Sequence, residues 1–207
     1  MEKGNTKSEI QSAALELFSA QGYEATSISQ IAQAVGIRKA SLYSHFESKQ
    51  AILDAIIDEV LAEYEKKSAF ARAKRETDGA YPSSCDEVML TVKKQMEYIL
   101  HDPFVSKARK MLTIEQFRNP ELAALQTKQN YADVMRYFTG LMAHLNERGA
   151  LRGGDAEIMA AQFCLPITVW INLCDREPAC ENEVMQLAER HMRQFFDMYQ
   201  PDIKGEK

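Results

Sequence analysis

The stretch "GIRKASLYSHFESKQAIL", Gly36 to Leu53, predicts a short polar helix that runs almost directly into a second helix. At 100° per residue, Leu42 and Phe46 fall on one face of the short helix, which predicts that both point into a core. The opposite face carries only small side chains, at Ala40, Ser41 and Ser44. The pattern therefore predicts a compact outward ridge on a buried apolar base.

The flanks of this ridge carry hydrogen-bonding side chains. Tyr43 lies on one flank and His45 on the other, and phenol and imidazole groups are good donors to phosphate oxygens. Lys49 lies in the first turn of the following helix, where its ammonium opposes the helix dipole but supports a bound phosphate. The stretch is thus typical of a surface that enters the major groove of DNA, with backbone contacts on either side.

The residues before this stretch complete a helix-turn-helix. Ser27 and Gln30 form a capping box that predicts the start of "ISQIAQAVG", and Gly36 follows it. Thr6 with Glu9 predicts the start of the first helix, as a second capping box. Two short helices joined by a glycine turn and packed on a third are the arrangement of a DNA-reading head.

The rest of the chain is typical of an all-α protein, with about nine helices in total. No segment alternates with period two, so no strand is predicted. The fourth helix is predicted to begin after Ser48 and to fray near Lys74, before the loop "ETDGAYPSS" of residues 76–84. We predict two domains, a helix-turn-helix DNA-binding domain at 1–50 and a ligand-binding and dimerisation domain at 51–207.

Composition limits the possible functions. The 207 residues carry a net charge of −5, whereas residues 1–50 hold five basic and five acidic side chains. Any DNA affinity must therefore come from local placement of groups and not from a basic field. The longest apolar run, "FCLPITVWI", is too short to span a membrane, and no signal peptide is evident at the N-terminus. We expect a cytoplasmic protein that does not contact a membrane.

The sequence predicts neither an enzyme nor a metal or cofactor site. It contains no G-x-S-x-G, S-x-x-K, P-loop or H-E-x-x-H motif. Four cysteines are present and none are spaced as C-x2-C, so we read Cys85, Cys164, Cys174 and Cys180 as reduced, small apolar side chains. The alternative is a redox sensor that uses Cys164, Cys174 and Cys180.

The segment "TSISQIAQAVGIRKASLYSHFESKQAIL" resembles the DNA-binding signature of the TetR/AcrR family of bacterial regulators, and the match extends from Glu9 to about Ala55. The matching positions are Thr26, Ile31, Ala32, Gly36, Leu42, Tyr43, His45, Phe46, Ser48 and Lys49. The resemblance implies a homodimer whose third helices enter successive major grooves of a near-palindromic double-stranded operator. It also implies a C-terminal helical domain with a small-molecule effector pocket and the dimer interface, and hence a ligand-responsive repressor.

Carried across by position, the resemblance implies two sets of DNA contacts. Contacts to the DNA backbone are expected from Ser27, Ser29, Tyr43, His45 and Lys49. Contacts to bases are expected from Arg38, Lys39, Ala40 and Ser41. Arg38 departs from the family pattern, which often has a capping Ser or Thr there. An arginine cannot cap the helix, so it either reads a guanine or binds a phosphate.

All nine methionines other than Met1 lie after residue 88. Methionine suits surfaces that accommodate variable shapes, so a pliable apolar effector pocket is one reading, and ordinary core packing is the other. Candidate lining residues are Tyr64, Phe104, Met111, Phe117, Tyr137, Phe138, Met142, Phe163, Ile167 and Trp170.

The last helix is apolar over two adjacent stripes, which predicts two neighbours. One stripe consists of Val184, Ala188, His191, Phe195 and Met198, and the other of Met185, Met192, Phe196 and Tyr199. We expect a partner subunit to supply the second, in a dimer seam built from the last two helices. The leading function is a ligand-responsive repressor. The alternative is a helical small-molecule-binding or redox-sensing module with weak or no DNA binding.

Overall fold

A computed structural model describes residues 3–68 and 81–201 of the chain, with side chains from residue 6 onward in the first helix. The predicted end of the fourth helix near Lys74 and residues 76–80 of the predicted loop lie outside these described residues.

The described residues form nine helices and no strand, which confirms the all-α prediction. The first six are α1 (Lys3–Gln21), α2 (Ile28–Val35), α3 (Lys39–Tyr43), α4 (Lys49–Lys67), α5 (Cys85–His101) and α6 (Pro103–Glu115). The next, α7, consists of α-helical Pro120–Thr127, π-helical Lys128–Ala132 and α-helical Asp133–Glu147. The last two are α8 (Ala156–Arg176) and α9 (Glu181–Met198), with a 3-10 turn at Pro178–Cys180 between them.

Most helix starts lie where local capping chemistry predicts them. In each case a side-chain oxygen accepts a hydrogen bond from a backbone N–H of the first turn, which satisfies one of the unpaired donors there. The capping residues are Ser27, Ser48, Ser84, Asn119 and Asp155.

The predicted start of α1 is wrong. The helix begins at Lys3, so Thr6 lies inside it and does not cap it. The reason is that a Ser/Thr followed three residues later by Glu also fits within a continuous helix, where i and i+3 share a face. Gly22 does close the helix, with φ +86°.

One compact unit combines the chain up to Lys67 with Pro103–Gln126. Its core draws on α1 to α4, and α6 and the start of α7 complete it. The buried members of this core include Ile10, Phe18, Ile31, Leu42, Ile52, Ile56, Met111, Leu112 and Leu122. This division by contacts differs from the division at residue 50, which concerns function and stays a prediction.

The second unit comprises residues 68, 81–102 and 127–201 of the described chain. An aromatic cluster lies at its centre, where the ring of Phe163 is 5.3 Å from that of Phe138, 5.0 Å from that of Phe195 and 5.5 Å from that of Phe196. The centre of α8 is therefore surrounded by side chains from α7 and α9.

By length and apolar composition alone, α8 is the one helix in the described residues that qualifies as a membrane span. However, Met159, Phe163, Cys164 and Ile167 of α8 are buried in the core of the second unit. One side of α8 is therefore packed into the interior of the second unit. Pro166 lies inside α8, and the bend that the sequence predicts there stays a prediction.

The second unit itself supplies both neighbours of α9, so the prediction that a partner subunit is needed to cover the second stripe is wrong. Both stripes contribute buried residues within the chain's own second unit, because α9 contacts α8 on one side and α5 on another. The buried residues of α9 are Val184, Ala188, Met192, Phe195 and Phe196. The width of the apolar surface therefore gives no evidence for a partner subunit.

Candidate nucleic-acid interface

The third helix presents the small ridge that its sequence predicts. Leu42 is fully buried and Phe46 nearly so, whereas the opposite face is exposed. The exposed residues of that face are Lys39, Ala40, Ser41 and Ser44. The Ser44 hydroxyl donates to the Ser41 carbonyl over 2.7 Å, so it lies against the helix and does not project from it.

The two flanking side chains differ in exposure. Tyr43 is 46% exposed, and the Lys39 Nζ lies 5.9 Å from the centre of its ring. His45 is half-buried beside the buried Phe46. The phenol and one cation thus share a side of the ridge, where a groove wall lined with phosphates would meet them.

Arg38 stands at the N-cap position of α3, with φ −74° and ψ 147°. Its side chain is exposed and makes no capping hydrogen bond, as the sequence predicts for an arginine. The guanidinium therefore does not cap α3. Base or phosphate recognition by Arg38 stays a prediction.

The Ser27 hydroxyl caps the start of α2. Its oxygen accepts from the Gln30 backbone N–H over 3.2 Å, and the Gln30 side-chain oxygen accepts from the Ser27 N–H over 2.8 Å. Ser29 is exposed in the first turn of the same helix. Helix N-termini favour anions, so a DNA phosphate is a suitable neighbour for both residues.

The Lys49 ammonium makes contacts that the sequence does not predict. It donates to the carbonyl oxygens of Tyr23 over 2.7 Å and Thr26 over 3.0 Å, and it lies 4.0 Å from the centre of the Tyr23 ring. An ammonium has three donors, so two bonds to the protein leave one for a phosphate. Lys49 therefore positions the loop between α1 and α2 in addition to any role on DNA.

Glu115 is a positioning residue that sequence reasoning missed. This carboxylate of α6 is 3% exposed, and one of its oxygens accepts from the Tyr23 backbone N–H over 2.8 Å. Next to it, the Thr26 hydroxyl is buried and donates to the Gly22 carbonyl over 2.8 Å. No local pattern reveals the contact between Glu115 and Tyr23, because 92 residues separate them in sequence.

The ten residues predicted to line an effector pocket divide between the two units. Tyr64, Phe104, Met111 and Phe117 belong to the first, and Phe117 is 88% exposed, so it lines no enclosed pocket. The second unit holds Tyr137, Phe138, Met142, Phe163, Ile167 and Trp170.

Part of the second group is a packed aromatic cluster. The rings of Tyr137 and Phe138 meet edge to face with centres 5.1 Å apart, and burial raises the pKa of the Tyr137 phenol to about 12. Trp170 is half-buried and its ring lies 5.3 Å from that of His191. The structure thus brings three residues of the predicted lining together, Tyr137, Phe138 and Phe163.

Cys164 and Cys174 are buried, whereas Cys85 and Cys180 are half-buried. Burial raises the pKa of Cys164 to about 12 and that of Cys174 to about 11, and it also raises the pKa of Cys85. The thiolate is the reactive form, so Cys164 and Cys174 are poor candidates for redox sensing. Within the described residues, no group of three or more His, Cys, Asp or Glu side chains is placed to hold a metal ion.

Two family models together match most of the chain. Residues 10–56 match the model described as bacterial regulatory proteins, tetR family. Residues 87–201 match the model described as AefR-like transcriptional repressor, C-terminal domain, which covers more than half of the chain.

Individual proteins agree with the family matches. The HTH-type transcriptional regulator UidR of Escherichia coli (strain K12) is 25% identical over 164 residues, which are 79% of this chain and 78% of that protein. The icaADBC HTH-type negative transcriptional regulator IcaR of Staphylococcus aureus (strain Newman) is 48% identical over 48 residues, 23% of this chain and 26% of its own. SmeT, the repressor of the Stenotrophomonas maltophilia multidrug efflux pump SmeDEF, has a similar fold, with TM-score 0.64 at 18% identity over 95% of this chain and 91% of its own.

Proposed function

The chain belongs to the TetR family of bacterial transcriptional regulators, and from that premise we propose that it is a repressor released from a near-palindromic operator by a small apolar or amphipathic effector. The family consists of DNA-binding regulators and not of enzymes. We place its action in the bacterial cytoplasm, where the operator lies.

One observation carries the DNA-binding role. The outward face of α3 is exposed and small, whereas Leu42 and Phe46 anchor the helix from below. A ridge of this shape enters a major groove deeply enough for Arg38 and Lys39 to reach base edges. The backbone contacts assigned to Ser27, Ser29, Tyr43, His45 and Lys49 would then fix its orientation.

A homodimer through α8 and α9 is supported by apolar side chains that the second unit leaves exposed. On α8, Ile158 is 55% and Val169 is 62% exposed, and the spacing of eleven residues places them on one face. On α9, Leu187 and Met198 are exposed and are also eleven residues apart. Two such faces from each subunit would form a seam that holds the reading heads one helical turn of DNA apart, about 34–36 Å.

The effector would bind in the second unit, next to the aromatic cluster of α7 and α8. Six of the predicted lining residues belong to this unit, and Tyr137, Phe138 and Phe163 contact one another there. An effector that changed the distance between the two heads would weaken operator binding. By linkage, the operator would weaken effector binding by the same factor.

The decisive experiment measures binding of the full chain to duplexes from upstream of its own gene, by fluorescence anisotropy at several salt concentrations. We expect a steep fall in affinity with salt, in proportion to the number of phosphates contacted. Ala40→Leu adds bulk to the small ridge and should weaken binding at least tenfold with little change in stability. Ala20→Leu, at an exposed position on α1, is the matched control and should bind normally.

Binding that is absent, that does not depend on salt, or that survives Ala40→Leu while Ala20→Leu weakens it, would overturn the proposal. Absent binding would favour the alternative of a helical ligand-binding or redox-sensing module.

A further inference from the structure

A cleft lies between α5 and α9 of the second unit and has a volume of about 210 Å³. Four methionines line it, two from each helix and seven residues apart on each. They are Met89, Met96, Met185 and Met192. Met96 and Met192 form a buried floor, whereas Met89 and Met185 are half-buried at the walls. None of the ten residues predicted to line an effector pocket contributes to this cleft.

Charged side chains from both helices form the rim of the cleft, namely Asp86, Lys93, Glu189 and Arg193. A hydrogen bond from Arg193 lowers the pKa of Glu189, and the charge of Lys93 lowers it further. The charge of Asp86, near the start of α5, likewise acts on Arg193. Asp86 and Lys93 of α5 and Glu189 and Arg193 of α9 therefore lie around the same cleft.

On each helix the two methionines are seven residues apart, which is about 10 Å along the helix axis. Thioether groups therefore line the cleft from both helices, and we call it the methionine slot.

The slot lies on the opposite side of α9 from the proposed dimer seam. At 100° per residue, Met185, Glu189 and Met192 lie within about 60° of one another, and Leu187 and Met198 lie roughly 180° away. A partner subunit on the face of Leu187 and Met198 would leave the slot accessible to a small molecule.

The chemistry of the slot favours an aromatic occupant. Thioether sulfurs make favourable contacts with aromatic rings, and no aromatic side chain lines the slot to satisfy them. A cavity of roughly 150 Å³ is enough for benzene, so about 210 Å³ takes one or two fused rings.

The charged residues at the rim determine which polar substituent a bound aromatic molecule should carry. The Arg193 guanidinium is bonded to Glu189, with nitrogen to oxygen distances of 2.8 and 3.2 Å. Lys93 is exposed on the other wall, and although its charge acts on Glu189, its ammonium makes no hydrogen bond within the described residues. Its ammonium is thus the group at the rim most able to bind an acidic substituent.

We propose that the methionine slot between α5 and α9 is a second binding site, which takes a planar aromatic acid of one or two rings with its acidic group on Lys93. This site goes beyond the proposed function, because it requires neither DNA nor the predicted effector pocket.

The test uses the full chain labelled with ¹³C at the methionine methyl groups and titrated with 2-naphthoate. Ring currents should shift the resonances of the four slot methionines, assigned by Met→Leu variants. The resonances of Met142 and Met159, in the same unit but outside the slot, should not move. Octanoate, which has the acid but no ring, should bind at least several-fold more weakly.

Two variants separate the ring from the acid. Met89→Leu with Met185→Leu keeps the volume but removes two sulfurs, and should weaken 2-naphthoate about fivefold or more while leaving octanoate unchanged. Lys93→Gln should weaken 2-naphthoate about two- to fivefold and leave the neutral 2-naphthol unchanged. Lys94→Gln, on the next residue and outside the slot, is the matched control.

The proposal is overturned by any of three results. The first is that no saturable shift of the slot methyl groups occurs. The second is that the largest shifts fall on Met142 or Met159, and the third is that octanoate binds as tightly as 2-naphthoate. Because none of these readouts involves DNA, each result leaves the proposed repressor function untouched.

Discussion

The backbone nitrogen of Tyr23 lies 2.8 Å from a carboxylate oxygen of Glu115, which joins the turn after α1 to the last residue of α6. The Tyr23 carbonyl in turn accepts from Lys49, the first residue of α4. One residue of the turn therefore connects three helices of the same unit. Both connections are charge-assisted, which makes them stronger than neutral hydrogen bonds.

Removing the Glu115 carboxylate should destabilise this unit. Glu115→Ala leaves the Tyr23 N–H without its acceptor, and we expect a loss of about 1–3 kcal/mol in the free energy of unfolding. Glu115→Gln keeps an acceptor oxygen and should lose clearly less. Urea unfolding followed by circular dichroism measures both, with exposed Glu59→Ala of α4 as the control. A loss no larger than that of the control would show that the contact contributes nothing.

Two glycines offer a matched comparison. Gly22 and Gly36 both have positive φ, +86° and +72°, so an alanine at either position is strained by about 1–2 kcal/mol. A Cβ at Gly22 would also lie 2.9 Å from a Glu115 oxygen, whereas a Cβ at Gly36 would meet nothing within 4 Å. Gly22→Ala should therefore lose more unfolding free energy than Gly36→Ala. Equal losses in urea would mean that Glu115 moves aside without cost.

Lys49 is expected to serve both the protein and the DNA. If its third donor binds a phosphate in each subunit, Lys49→Met should make the plot of log affinity against log salt shallower by about 2, since each phosphate contributes about 0.9. Lys66→Met, at the other end of α4, should leave the slope unchanged. A weaker Lys49→Met complex with the original slope would restrict Lys49 to positioning the loop.

Arg38→Ser tests the departure from the family pattern. Serine at this N-cap should accept a hydrogen bond from the first turn of α3 and stabilise the protein by about 0.5–2 kcal/mol. Operator binding should weaken in the same variant, because the guanidinium is lost. If the loss is confined to operators with a guanine at one position, Arg38 reads that base. If it is uniform across sequences, Arg38 binds a phosphate.

Thiol labelling tests the cysteine assignment. With pKa values of about 12 and 11, Cys164 and Cys174 are thiolates in about one molecule per thousand or fewer at pH 8. We expect mass spectrometry of the native protein after brief iodoacetamide treatment to find both unmodified. Labelling should increase as pH rises towards these values, and all four cysteines should react in urea. Rapid labelling of Cys174 in the folded protein at pH 8 would revive the redox reading.

The sequence predicted those features that depend on neighbouring residues. The caps at Ser27, Ser84, Asn119 and Asp155 and the buried pair below the ridge all follow from contacts within four residues. The start of α1 was misplaced because the same spacing is satisfied inside a helix. Local chemistry is thus a reliable guide to where a helix begins only when the preceding residues cannot extend it.

Features that depend on tertiary pairing could not be predicted. The methionines of α5 and α9 each repeat at a spacing of seven, but nothing in either helix shows that the other is its neighbour. For the same reason, the sequence of α9 alone does not show that α8 and α5 cover both of its apolar stripes. Glu115 was missed for this reason too, since its acceptor role exists only once Tyr23 lies beside it.

The DNA-reading head at residues 1–50 shares its hydrophobic core with residues 103–126, which follow it by about a quarter of the chain length. Met111, Leu112 and Leu122 complete the interior that Phe18 and Ile52 begin. A chimeric regulator joined at residue 50 would therefore pair one protein's head with a foreign α6, and its core would be mismatched. The part of the chain that can be transplanted as a unit is therefore discontinuous in sequence. Recombination between relatives must exchange residues 103–126 along with the amino-terminal helices to give a head that folds.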